Sequence, residues 1–316
     1  MRYIVILSLG LFLSSCGNDD IVSTSVDGNI QAWLDTMNIT AVRDDNTGIY
    51  YYADNTNLAG AQAVTGAVAA IYYTLMDLNG NVISRYQRAD GDSLIYKVGA
   101  SAIYPIGADF GISVMRVGEI YNFILPPSQA YEGLTSGAIS PNLIAHLQIE
   151  LTAVHNEADL IVQELVDIDN YVATNNLNDT VTNPLNTVMK FPASGISFKR
   201  LQAGAGTLPL NGDTIIVDYT GRFIDDSSFG GDTVFQWIFG SGSPRELLTG
   251  FEFGVSLMQA GERSLVMVPS SQAYRESALI IPQFIDEDLV EDGIIPDYVT
   301  RIPPYRTLLF EIARVN

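Results

Sequence analysis

Two α+β domains in tandem, each an antiparallel sheet wrapped around one short helix, follow from three features of the 316-residue sequence. The chain repeats itself. Each repeat carries runs of alternating or β-branched apolar residues. Between those runs lies one stretch where the apolar period becomes helical. The repeat is plainest where Leu125-Pro126-Pro127-Ser128-Gln129-Ala130-Tyr131 returns as Val268-Pro269-Ser270-Ser271-Gln272-Ala273-Tyr274, at an offset of 143 residues. Met115-Arg116-Val117-Gly118-Glu119 returns at that offset as Met258-Gln259-Ala260-Gly261-Glu262, and Gly107 and Gly111 return as Gly250 and Gly254. Farther out, Thr47-Gly48-Ile49 matches Ser194-Gly195-Ile196, Ile71-Tyr72-Tyr73-Thr74 matches Val217-Asp218-Tyr219-Thr220, and Ile139-Ser140-Pro141 matches Ile302-Pro303-Pro304. Order is kept while the offset drifts, as in a duplicated unit with loop insertions.

Each copy opens on a helical pattern: Ile30, Trp33 and Leu34 in the first, Ile161, Leu165, Ile168 and Val172 before the second. Strands are then predicted over Asp213 to Tyr219, Val234 to Phe239, Arg263 to Val268 and Thr307 to Val315, with Asn79-Gly80 and Asn211-Gly212 as turns. Leu247, Leu248, Phe251, Val255 and Met258 carry the helical period between Gly240 and Gly261.

The N-terminus reads as an export signal. Arg2 supplies positive charge, Ile4 to Leu13 form an apolar segment too short to span a bilayer, and Leu13-Ser14-Ser15-Cys16 matches a lipobox. Cys16 is the sole cysteine, so an intrachain disulfide is excluded and a lipid thioether fits. Gly17 after it favours the outer membrane, on the periplasmic or cell-surface side; Asp19-Asp20 is a weak surface signal. The expected organisation is a lipoprotein signal peptide over 1–15, a lipid-anchored tether over 16–23, a first domain over 24–155, a helical linker over 156–180 and a second domain over 181–316. With 16 Lys and Arg against 36 Asp and Glu, the net charge of −20 repels phosphate backbones, which argues against nucleic acid as a partner. A hydrophobic fraction of 47% argues against disorder.

In the second copy Val217-Asp218-Tyr219-Thr220-Gly221, Gly250-Phe251-Glu252-Phe253-Gly254-Val255 and Met258-Gln259-Ala260-Gly261-Glu262-Arg263 follow one another in that order. With these motifs the second copy resembles an FKBP-type peptidyl-prolyl cis/trans isomerase domain, the first being similar to the family's opening strand, the second to its central helix and the third to the following turn. Ile302-Pro303-Pro304 with Thr307-Leu308-Leu309-Phe310-Glu311-Ile312 resembles its closing strand, so the likeness runs from Gly195 to Val315. The fold it implies is two FKBP-like domains joined by a helical linker. The pocket it implies has Tyr219, Phe229, Phe235, Leu247, Leu248, Ile302 and Phe310 as walls, Phe251 as floor, and Tyr274 as the phenol that hydrogen-bonds a substrate carbonyl.

Such a pocket needs no nucleophile, general acid, metal or cofactor. Rotation about a peptide bond is opposed by resonance worth roughly 18–20 kcal/mol, and the twisted state that loses this resonance is less dipolar. An apolar aromatic site favours it over the planar ground state. The two histidines, His146 and His155, belong to no catalytic constellation. The second copy also departs from the family. Gly230 stands where an aspartate usually accepts a bond from the first tyrosine, and Asp232 lies two residues on. The stretch from Arg275 to Arg301 is longer than the family's loop. It is expected to cover the pocket, with Asp286, Glu287, Asp288, Glu291 and Asp292 as a solvated face rather than a calcium loop.

In the first copy Tyr73 and Tyr131 match Tyr219 and Tyr274. Ile83 stands for Phe229 with Ser84 following, Ala108 for Phe251, and Leu147 for Phe310. That pocket is expected to be shallow or filled by its own side chains, leaving a domain for structure, homo-oligomer formation or client binding. The resemblance implies an isomerase and folding factor for proline-containing exported or outer-membrane polypeptides, held at the membrane by its lipid. The alternative is a non-catalytic FKBP-like lipoprotein that binds polypeptide or serves a surface complex.

Overall fold

The computed structural model describes residues 19–178, 187–242, 248–295 and 302–316, with side chains from residue 25 onward. Cys16 and the lipobox, and Leu247, therefore lie outside the described residues. In the first copy, helix α1 (Asp19–Thr36) precedes strands β1 (Val42–Arg43), β2 (Tyr50–Asn55), β3 (Val68–Met76), β4 (Val82–Tyr86), β5 (Leu94–Lys97) and β6 (Ile103–Tyr104). Helix α2 (Gly107–Ser113) follows, then β7 (Ile120–Leu125) and β8 (Ala145–His155). The second copy runs through α3 (Glu157–Thr174), β9 (Val188–Phe191), β10 (Ile196–Gln202), β11 (Thr214–Phe223), β12 (Ser228–Ile238), α4 (Thr249–Ser256) and β13 (Arg263–Val268). It ends with β14 (Leu279–Ile280), α5 (Asp286–Glu291) and β15 (Leu308–Arg314).

The duplication is visible in the strand order. The first sheet runs β1-β2-β7-β8-β3-β4 and the second β9-β10-β13-β15-β11-β12, which is the same path through equivalent strands, all antiparallel. The copies differ at one edge. In the second, β12 is a single long strand whose register against β11 shifts between Val217 and Tyr219. In the first, the equivalent is broken into β4 and β5, which both pair with β3.

Glycine lets each short helix sit close to its sheet. A Cβ at Gly254 would lie 2.6 Å from Val266 Cγ2, and one at Gly250 2.3 Å from Val268 Cγ1. At Gly111 it would meet the Phe123 ring at 3.1 Å. The recurring glycines are therefore a packing requirement, paid in helix propensity.

The opposite face of each sheet carries the opening helix of its copy. Ile30 and Leu34 of α1 pack with Tyr50 and Ile124, and Ile168 and Val172 of α3 pack with Leu265, Met267 and Leu309. The β strands alternate for this reason, one set of side chains facing the inner helix and the other the outer one. Glu164 of α3 is buried, yet it accepts bonds from the Ser270 amide (2.6 Å), the Ser270 hydroxyl (2.5 Å) and the Thr307 hydroxyl (3.2 Å). Desolvation raises its carboxyl pKa and these donors oppose the rise.

The long segment after Arg275 corrects one expectation. Its described part, 275–295, does not fold back as a lid on the second copy. β14 pairs in parallel with β6 of the first copy, with Leu279 opposite Ile103 and Ile280 opposite Tyr104. Leu279, Ile280, Ile281, Ile285 and Leu289 are buried in the first copy's core cluster. Glu287, Glu291 and Asp292 are solvent-exposed, while Asp286 and Asp288 are half-buried. Apolar residues at 279–281, 285 and 289 gain more by entering an unfilled core than by shielding a pocket exposed to water.

Two outcomes follow. Gly254→Ala should lower the unfolding free energy by about 1–3 kcal/mol, because overpacking against Val266 outweighs the roughly 1 kcal/mol gained in helix propensity; urea denaturation of the whole chain measures this. The second concerns His146, buried on β8 with Nε2 2.8 Å from Asn122 Oδ1 and the Trp33 ring at 5.5 Å. Burial pushes the imidazole down to about 4 from 6.5, so the unfolded chain takes up the proton first. Stability from neutral His146 is complete above about pH 6.5 and is lost as pH falls towards 4, by roughly 3 kcal/mol in all. Unfolding of His146→Gln across that window should show a correspondingly flatter pH dependence than the native chain.

Candidate active site

The aromatic side chains of the second copy converge on Phe251. As the third residue of α4, and buried, it meets the rings of Tyr219 at 5.1 Å, Phe310 at 5.1 Å, Trp237 at 6.0 Å and Phe235 at 6.2 Å. The Tyr219 and Phe310 contacts are edge-on, at interplanar angles of 71° and 87°. Edge-to-face packing of this kind sets positive ring edges against negative ring faces and fixes each ring's tilt.

Register explains why these residues share one face. Tyr219 on β11 and Phe310 on β15 belong to adjacent strands, and Gly221, two residues after Tyr219, sits opposite Phe310. That glycine has a specific use. A Cβ there would fall 2.3 Å from the Phe229 ring, so Phe229 lies directly over the bare backbone and meets Phe310 edge-on at 5.7 Å. The first copy has Leu75 at the matching ladder position, opposite Leu147, and carries Ile83 rather than an aromatic.

The remaining expected residues join the same cluster. Ile302 is buried there, and Leu248, Phe235 and Tyr274 are half-buried against it. Tyr274 follows a single 3₁₀ turn, Ser270–Gln272, that ends β13. The core is thus closed by Phe251, Phe310 and Ile302, while Tyr219, Phe229, Phe235 and Tyr274 keep part of their surface in water. Trp237 was not among the expected residues. It is buried behind Phe235 at 5.4 Å and its Nε1 donates to Glu252 Oε1 at 3.3 Å. Strand alternation with Phe235 placed it on this face.

At the family's aspartate position the structure has Gly230, exposed and at φ +146°, a region that favours glycine. Asp232 is paired with Tyr219 across the ladder and is exposed. Asp218 instead closes the neighbouring bulge, accepting from the Val234 amide at 2.8 Å where Val234 takes φ 65°. Among the described residues no group of three or more His, Cys, Asp or Glu is placed to hold a metal ion. What the site offers is apolar aromatic surface with phenols at its rim. That surface disfavours a planar, strongly dipolar amide relative to a twisted one, and a phenol can hold a peptide carbonyl in register.

The first copy's site is built on the same frame with other contents. Tyr73 lies 3.0 Å from Ser84 Oγ. Tyr131 is fully buried against Tyr104 at 5.6 Å, and burial raises its phenol pKa, so it stays a donor. Its hydroxyl donates to the carbonyl of Ile281 at 2.7 Å. The pocket is filled by more than its own side chains: Leu279, Ile280, Ile281, Ile285 and Leu289 of the second copy share the buried cluster that holds Ala108, Tyr131 and Leu147. No local pattern revealed this, because the two partners are 150 residues apart.

The fold and the paired sites define a tandem protein with one aromatic pocket and one occupied pocket. The model of the family described as FKBP-type peptidyl-prolyl cis-trans isomerase matches residues 60–152 and 206–314, together more than half of the chain, and the chain belongs to that family. A probable FKBP-type peptidyl-prolyl cis-trans isomerase FkpA of Neisseria meningitidis is 33% identical over 93 residues, 28% of this chain and 32% of that protein. The outer membrane protein MIP of Legionella longbeachae is 27% identical over 181 residues, 54% of this chain and 73% of that one. The crystal structure of FkpA from Escherichia coli aligns with a TM-score of 0.35 at 18% identity, over 51% of this chain and 60% of its own. The chain thus spans about a third of the Neisseria relative's length and nearly three quarters of the Legionella one's.

Proposed function

We propose that the second copy is a peptidyl-prolyl cis/trans isomerase acting on proline-containing exported polypeptides, and that the first copy does not turn over substrate. The observation that carries this reading is the ring cluster on Phe251, with Tyr219, Phe229, Phe235 and Tyr274 half-exposed around it. A prolyl peptide entering that cluster leaves water for an aromatic surface, and Tyr274 is set to hold a carbonyl at the rim. Family membership supports the same reaction. Likeness to a protein named for the outer membrane supports an envelope location, with Cys16 as the lipid-bearing anchor.

One observation favours a second reading, a polypeptide-binding module without catalysis. Gly230 supplies no side chain to fix the Tyr219 hydroxyl where the family usually has an aspartate. An uncatalysed X-Pro bond exchanges over tens to hundreds of seconds, so an assay separates the readings cleanly. The whole mature chain should accelerate exchange in a proline-containing peptide. Tyr274→Phe should lower kcat/KM roughly threefold to tenfold, the worth of one hydrogen bond. Phe310→Ala should lower it about tenfold or more by removing a wall, provided circular dichroism shows the fold intact. Exchange at the background rate with the native chain would leave the binding module.

The anchor is tested separately. Cys16→Ser should move the protein from the membrane pellet to the soluble fraction or leave an unprocessed precursor; unchanged fractionation with normal maturation would count against lipidation.

A further inference from the structure

The first copy's pocket has an occupant of definite chemistry. The segment from Leu279 to Ile281 is extended, and its backbone is read in alternation by the first copy. The Leu279 amide donates to the Ala102 carbonyl at 2.9 Å and the Ile281 amide to the Tyr104 carbonyl at 2.8 Å. The Ile281 carbonyl accepts from the Tyr131 hydroxyl at 2.7 Å, and Pro282 follows it. Leu279, Ile280 and Ile281 are buried among first-copy residues, with Ile281 fully enclosed. Pairing of a short extended segment with main-chain groups, its side chains sunk in pockets, is how a sheet edge takes up a peptide.

We infer that the first copy's pocket is a peptide-binding site in intramolecular use, with the extended apolar segment Leu279-Ile280-Ile281-Pro282 of the second copy as its ligand. The repeat equates Tyr131 with Tyr274, yet Tyr131 is fully buried under this segment while Tyr274 is half-exposed. One tyrosine position therefore serves two ends: rim of an open site in the second copy, clamp on an internal ligand in the first. The connection is short. The segment leaves the second copy at Tyr274 and the chain returns to that copy's cluster at Ile302. A ligand tethered this closely has an effective concentration on the order of millimolar, which shuts the site to free peptides at micromolar concentration. This inference stands on its own observations and does not require the second copy to be catalytic.

The probe is a fluorescein-labelled synthetic peptide, Ser-Ala-Leu-Ile-Ile-Pro-Gln-Phe-Ile, with the sequence of residues 277–285. The native chain should leave its anisotropy unchanged at micromolar protein. A whole-chain Leu279→Asp, Ile281→Asp double variant, which unseats the internal segment, should bind it at least tenfold more tightly than the native chain does. Adding Tyr131→Phe should weaken that binding roughly threefold to tenfold. Equal binding by the native chain, or none by a folded double variant, would overturn the inference. Hydrogen exchange on the native chain decides the matter if the double variant does not fold. The Leu279 and Ile281 amides should be protected, and Tyr131→Phe should speed their exchange at least threefold. Exchange of both at the rate of an unstructured peptide in the native chain would refute the assignment.

Discussion

Leu279, Ile280, Ile281, Ile285 and Leu289 belong by sequence to the second copy and by burial to the first. A hydrophobic core must exclude water on every side, and the first sheet with α2 leaves one side open. Its inner residues are smaller at the decisive positions, Ala108 and Leu147 where the second copy has Phe251 and Phe310. Removing aromatic volume from a fixed backbone creates space, and empty apolar space is costly. The second copy's insertion fills it, so the two halves of the chain depend on each other through one continuous apolar contact.

That contact also separates the roles of two sites built on one frame. Strand order, helix placement and the glycine-permitted approach of helix to sheet are common to both. The contents differ by a few substitutions that act together. Gly221 allows Phe229 to lie flat over β11, which brings it to Phe310; Leu75 at the matching position leaves no such room. A ring cluster with half-exposed edges results in one copy, and in the other a closed core of mixed aliphatic and aromatic side chains.

Polar groups reinforce the junction. Glu157, the first residue of α3, binds Lys97 of the first copy through both carboxylate oxygens at 3.1 Å and accepts from the Tyr305 hydroxyl of the second at 3.0 Å. Arg275 and Glu276 lie at the edge of the same group. Charge here is half-buried, so its worth lies in fixing orientation more than in stability. Glu164, two turns along α3, ties the helix to Ser270 and Thr307, so the serine that the second copy carries in place of Pro127 serves helix docking there.

The sequence by itself determined the duplication, the antiparallel strands, the central helix and the aromatic set around Phe251. These properties are written in local periodicity, in turn residues and in motifs repeated along the chain. Trp237 is legible by the same alternation that places Phe235, two residues before it on β12. The destination of residues 279–289 was decided only in three dimensions. Their composition, apolar and acidic by turns, states that one face is buried and the other wet; it does not state against what. A lid over the second pocket and a plug in the first satisfy that pattern equally. The choice rests on which core lacked volume, and that lack arises from Ala108 on α2 and Leu147 on β8, where the second copy has Phe251 and Phe310.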